Sequence, residues 1–229
     1  MAGPAARGDQ VTSEEFVAAL DAENQARLRA LEPDATLTPE VKGPLNVPNL
    51  LKVALRNEAE ATLIAARWLV TSSDLKLMLS LARQAADEAK HYELVAARLT
   101  QLGFDADTFS PLAGGVGPLT TYLETLTADV ERVAAGQFTR EAIAIVKNRQ
   151  FIEFCERVGD KETAALYRDV IEPDERHHHE LGRRTLLRLA TTPEAQAAAQ
   201  RAARRTLELA DELQKKALAT AGIHHAPGC

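Results

Sequence analysis

The chain has little of what export, cross-linking or membrane insertion requires. It holds only two cysteines, Cys155 and Cys229, in 229 residues, and two thiols so far apart do not make a disulfide framework. A reducing, cytoplasmic location is the expectation. No apolar run approaches the roughly 18 residues of a membrane span, and the start MAGPAARGDQ has no hydrophobic signal core. The reading is therefore of a protein neither exported nor membrane-bound. Charge of one sign is not massed anywhere: the net −6 arises from interspersed acids and bases, which leaves no nucleic-acid footprint at the level of the whole chain. Aromatic residues make up only 4% and β-branched residues are sparse, so strands, which pack such side chains, are disfavoured.

What is present is alanine and leucine in helical spacing, with 45% hydrophobic residues overall, enough for a sizeable core. The expected class is all-α. Thr12-Ser13-Glu14-Glu15 opens a helix to about 31, and the four prolines and one glycine of LEPDATLTPEVKGPLNVP break it. Helices at about 49–71 and 74–102 flank the short Thr71-Ser72-Ser73-Asp74 joint and so form an antiparallel hairpin. After a loop at 103–117, a short helix over 118–135 is expected to end at Gly136. Helices at about 138–158 and 161–190 make a second hairpin across Val158-Gly159-Asp160-Lys161, and Thr192-Pro193-Glu194 starts a last helix to about 221. The tail GIHHAPGC, with His224 and His225, reads as disordered. These elements divide as 1–46 (N-terminal helix and Pro-rich linker), 47–190 (a four-helix bundle with one long crossover) and 191–229 (C-terminal helix and tail), the extra helices packing outside the bundle.

Helical phase selects the inward-facing polar residues, because positions i, i+3, i+4 and i+7 share a face. The stripe Leu51, Ala54, Leu55, Glu58, Ala61, Thr62, Ala65, Leu69 is apolar except for Glu58. Glu60 shares a face with Arg56, Ile64 and Arg67 and reads as a solvated surface charge. On the next helix, Leu77, Leu81, Ala85, Glu88, His91, Val95 and Leu99 carry Glu88 and His91 inward, whereas Asp87, Lys90 and Glu93 point away. Glu58 and Glu88 each stand 15 residues from Ser73, at one height. The stripe Ile171, Glu175, His178, Gly182, Leu186 repeats a Glu-x-x-His, again 15 residues from its turn. Buried carboxylates are costly unless paired or bound to metal, so these groups need a common partner. The mirror position on the third helix falls near 145, where no acid stands. Its apolar face reads as Ile143, Ala144, Phe151, Phe154 and Val158, with Lys147 and Asn148 the nearest polar residues. Lys147 is open to three readings: a snorkelling bystander, a positive charge in place of one metal, or a functional amine beside a metal. Glu141, at the edge of this face, and Glu172 could supply the missing carboxylate through an altered phase.

The segments NEAEA (57–61), DEAKH (87–91) and DERHH (174–178) resemble the ferritin-like di-iron carboxylate superfamily, which places a Glu on each of two helices and a Glu-x-x-His on each of the other two. The resemblance covers residues 47–190, and FCERVGDKETAALYRDVIEPDERHHHELG is similar to its tRNA hydroxylase branch, where a Cys-Glu-Arg and a Tyr precede a Glu-x-Arg-His. It implies Glu58, Glu88, His91, Glu175 and His178 as metal ligands, with Glu141, Glu172 and His179 as alternates. It implies a centre of two irons, or manganese, and an oxidoreductase activating O₂ or peroxide, a hydroxylase or other monooxygenase of an organic substrate. Without a gap, the family's third-helix Glu falls at or beside Lys147. A non-enzymatic iron-binding or stress protein, and a bundle that has lost its metal, are the alternatives. Partners compatible with the resemblance are a small-molecule or modified-RNA substrate, an electron donor and a second copy in a homodimer. Tyr92 could lie beside the metal as a catalytic phenol; Trp68 and Tyr167 read as core. Arg183, Arg184, Arg188, Arg201, Arg204 and Arg205 read as a solvated helix face.

Overall fold

A computed structural model describes residues 11–31, 46–221 and 227, and among them every regular element is helical. Helix α1 (Ser13–Leu31) is followed, beyond a stretch outside the described residues, by α2 (Val47–Thr71) and α3 (Leu75–Gln101), which pack together along their lengths. Asn46 caps α2 by accepting from the Asn49 amide at 2.9 Å, and Pro48 sits in the first turn where its missing N–H costs nothing. The expected linker at 32–45 and the tail, Pro227 aside, lie outside the described residues.

The crossover carries a short helix, α4 (Pro118–Thr125). The expected stop at Gly136 does not occur: α5 (Asp129–Val133) runs through a π-helical segment (Ala134–Arg140) into α6 (Glu141–Arg157) as one rod. Gly136 serves close approach instead. A Cβ there would stand 2.5 Å from the Trp68 ring, so the indole of α2 lies directly on the backbone. The return rod is α7 (Lys161–Leu166), a second π segment (Tyr167–Ile171) and α8 (Glu172–Leu189). Its widened turn has a local cause: Pro173, in the first turn of α8, donates no hydrogen bond and would crowd the carbonyl of Asp169. Helix α9 (Pro193–Ala221) then packs on the first π segment, α5 and α1.

Both hairpin turns begin with a capping aspartate held by an arginine of the other hairpin. Asp74 accepts from the Leu77 amide at 2.8 Å and from Arg188 Nη2 of α8 at 3.0 Å. Asp160 accepts from the Thr163 amide at 3.0 Å and from Arg98 Nη2 of α3 at 2.7 Å. The core lies in two main apolar clusters. One joins Leu50, Leu51, Val95, Leu99, Phe151 and Tyr167. The other joins Trp68, Leu77, Leu81, Phe138 and Leu186 with the outer helices α1, α4 and α9. The polar groups described next sit on the stretches of helix between the two.

Candidate metal centre

Six side chains meet between the apolar clusters: Glu58 of α2, Glu88 and His91 of α3, Glu141 of α6, and Glu175 and His178 of α8, each no more than 2% exposed. They fall into two groups of four whose ligand atoms lie within 4.8 Å of one another: Glu58, Glu88, His91 and Glu175, and Glu88, Glu141, Glu175 and His178. Glu88 and Glu175 belong to both. Such a pair of overlapping groups could hold two metal ions, with the shared carboxylates between them and one Glu and one His at either end.

The histidines are placed reciprocally. His91 Nδ1 faces inward, 3.6 Å from Glu58 Oε2, 3.4 Å from Glu88 Oε2 and 3.7 Å from Glu175 Oε1, drawn to all three and well directed to none. Its Nε2 lies 3.2 Å from Asp174 Oδ2. His178 Nδ1 lies 3.3 Å from Glu175 Oε2 and 3.6 Å from Glu88 Oε1, while its Nε2 lies 3.1 Å from Asp87 Oδ2. An aspartate on the outer nitrogen holds the N–H there, so that the inner Nδ1, on giving up its proton, offers the lone pair that a metal ligand needs. The aspartates are the residues sequence phase missed, because at the rim they are only partly buried. The signal was the residue preceding each Glu-x-x-His, which makes both motifs Asp-Glu-x-x-His.

Glu141 takes the place left open on the third helix. The inward stripe of α6 is Glu141, Ala144, Asn148, Phe151, Ile152 and Cys155, all buried, whereas Val158 is 56% exposed. Ile143 and Ala142 turn to a separate cluster with Leu28, Leu207 and Ala210 of the outer helices. Counting that second apolar face as part of the bundle face rotated the expected phase away from Glu141. Lys147 is half-buried and belongs to neither ligand group; the cation at Glu141 is Arg140, whose Nη1 stands 3.9 Å from Glu141 Oε1. Glu172 pairs with Arg176, Nε to Oε1 at 3.1 Å. His179 donates from Nδ1 to the Phe138 carbonyl at 2.7 Å and stacks on that ring, satisfying the π segment rather than the site. Tyr92 packs half-buried against the Phe151 cluster. Glu60 is a correction: it is buried, because the crossover covers its face. Its carboxylate accepts from Arg56 Nε at 2.7 Å, the Gly117 amide at 2.9 Å and Thr120 Oγ1 at 2.5 Å. The arginines read as a solvated helix face are in part paired with acids at the surface, as in Arg204 Nε to Glu23 Oε1 at 2.6 Å and Arg205 Nη1 to Glu212 Oε1 at 3.0 Å.

The carboxyls are too crowded to ionise together without a cation. Burial first, then repulsion from Glu88, pushes Glu58 up to about 7, with His91 acting against the rise. Burial and neighbouring carboxylates hold Glu141 and Glu175 well above the usual range. Glu88 goes the other way: burial opposes its charge, yet the His91 contact and the charges of His178, His91 and Arg140 hold it down at about 2. Burial works against an imidazolium at His91, but the carboxylates of Glu58 and Glu88 outweigh it and raise it to about 12. Protons thus stand in for missing positive charge. A metal ion would replace them, and Glu58 Oε1 and His91 Nδ1, buried without hydrogen-bond partners, are available to it.

No family model, curated protein or solved structure matches this chain. No helix among the described residues is long and apolar enough to cross a membrane.

Proposed function

We propose that this protein is a ferritin-like oxidoreductase holding two iron ions, or manganese, in a carboxylate-rich centre that activates O₂ or peroxide against an organic substrate. The observation that carries the reading is the pair of four-ligand groups sharing Glu88 and Glu175, in which Glu58 Oε1 and His91 Nδ1 are buried without hydrogen-bond partners. Four carboxylates with two imidazoles suit iron or manganese better than zinc, which prefers closed four-coordinate nitrogen and sulfur sites. A redox-active metal pair, when bound, supplies the electrons that dioxygen or peroxide must accept. The chain's own part is to neutralise that charge with Glu58, Glu88, Glu141 and Glu175, to fix both imidazoles through Asp87 and Asp174, and to exclude water with apolar clusters on either side. The reading in which Lys147 pairs the glutamates of a metal-free bundle is weakened by Glu141, which occupies the disputed place.

The test is the metal content of the full-length chain expressed with iron, alongside Glu88→Ala. Two irons per chain, lost in the variant, is the expected result, and a metal-free wild type rejects the proposal. Consumption of O₂ with a chemical reductant then divides an enzyme from a non-enzymatic iron-binding protein. The second reading is favoured by the enclosure of the site, none of whose six ligands exceeds 2% exposure.

A further inference from the structure

The two ends of the cluster are not chemically alike. At one end, Glu58 Oε1 and His91 Nδ1 are buried with no hydrogen-bond partner, so an ion arriving there takes the place of protons but breaks no hydrogen bond at these atoms, and it relieves two unsatisfied atoms. At the other, Glu141 Oε1 already accepts from Gln84 Nε2 at 2.7 Å, and His178 Nδ1 is engaged with Glu175 Oε2 at 3.3 Å. Gln84 is fixed for this task. Its Oε1 accepts from Gln137 Nε2 at 3.2 Å, Gln137 Nε2 also donates to Ser80 Oγ at 3.0 Å, and both glutamines are at least 96% buried. With its oxygen taken by Gln137, the amide of Gln84 must turn its NH₂ to the carboxylates, reaching Glu88 Oε1 at 3.3 Å as well. The guanidinium of Arg140, itself 5% exposed, adds a like charge 3.9 Å from the same Glu141 oxygen and disfavours a second cation there.

We infer that the two metal positions fill in order, the one ended by Glu58 and His91 first and the one ended by Glu141 and His178 second, with Gln84 the positioning residue that sets the gap. This rests on the dimetal reading above. An ion at the second position must take Glu141 Oε1 from Gln84, or bind through the other oxygen with the strut intact, whereas the first position asks for no such exchange.

The experiment is an anaerobic titration of the metal-stripped full-length chain with Mn²⁺ at neutral pH, followed by calorimetry and by the electron paramagnetic resonance of free Mn²⁺. Two steps are expected, the first tighter by about tenfold or more, equivalent to about 1.4 kcal/mol. Glu58→Gln removes the tight step. Glu141→Gln removes the weak one and leaves the tight one in place. Gln84→Leu strengthens the second step and narrows the gap; Arg140→Met does the same through charge, and stands in if Gln84→Leu fails to fold by circular dichroism. Two equal steps in the wild type, or loss of the tight step in Glu141→Gln, overturns the ordered filling and leaves the dimetal reading standing. A folded wild type that binds no Mn²⁺ overturns both.

Discussion

Asp87 and Asp174 show how much a single carboxyl can do from the rim of a site. Each holds the outer nitrogen of a histidine on the opposite hairpin and so decides which nitrogen faces the centre. Replacing Asp174 by Asn keeps the shape and removes the charge, and removal of such outer partners costs about 10–100-fold in metal affinity. Asp174→Asn is therefore expected to weaken Mn²⁺ binding by that factor with the thermal midpoint of the metal-free chain little changed, read by calorimetry and a melting curve. Glu60 gives the contrasting case of a buried acid with a purely structural task. Glu60→Ala strips acceptors from the Gly117 amide and Thr120 and is expected to cost about 1–3 kcal/mol in urea unfolding, with Mn²⁺ affinity retained. Phase alone separated Glu58 from Glu60 by face but not by exposure, since nothing in the α2 sequence says that the crossover returns to cover Glu60.

At the scale of the element, helix positions and hairpins were legible, because Thr, Asn and Asp caps and Gly or Pro breaks are local signals. The first π segment was not, because its reasons are tertiary. It is held by Asn24 of α1, whose Nδ2 donates to Thr139 Oγ1 at 2.9 Å, by His179 on the Phe138 carbonyl, and by contact with α8 and α9. The third-helix carboxylate, Glu141, was obscured for the same reason, as α6 buries one face in the bundle and another under α1 and α9. Gly182 is where this packing brings backbone against backbone, for a Cβ there would lie 2.7 Å from the Gln137 carbonyl carbon. Backbone cannot yield as a flexible side chain does, so Gly182→Ala is expected to cost about 1–3 kcal/mol or more. Urea unfolding of the metal-free chain reads that loss.

Across the whole molecule, the folded state of the metal-free chain concentrates acid groups whose protonation folding favours. Glu58, at about 7 when folded against 4.5 as its ordinary value, contributes stability that is complete below the ordinary value and lost as pH rises through about 7. His91, raised from 6.5 to about 12, adds stability present below 6.5 and lost over the interval above it. Glu88 has the opposite sign, its contribution being lost only as pH falls from 4.5 toward about 2. The metal-free chain is thus expected to melt at progressively lower temperature between pH 5 and 9, and bound metal, by taking over the charge of the protons, should flatten that slope. Melting curves across this interval, with and without Mn²⁺, check it; a metal-free midpoint that rises with pH contradicts the assignment. Saturation at about 100 times Kd should add about 2.7 kcal/mol, absent in Glu88→Ala. The two Glu-x-x-His segments were visible in the sequence because their spacing is local, whereas their meeting depended on how two hairpins dock.

That docking has a kinetic side. His91 and Asp174 lie on different hairpins, as do His178 and Asp87, and the capping aspartates of both turns are held by arginines from across the interface. Neither hairpin carries all six groups, so an ion held between them is expected to leave only as the two halves part. Residence time then becomes a clock for separation of the hairpins. A chelator should extract bound Mn²⁺ at a rate independent of chelator concentration, matching the slowest amide exchange in α3 and α8 under conditions where each opening leads to exchange.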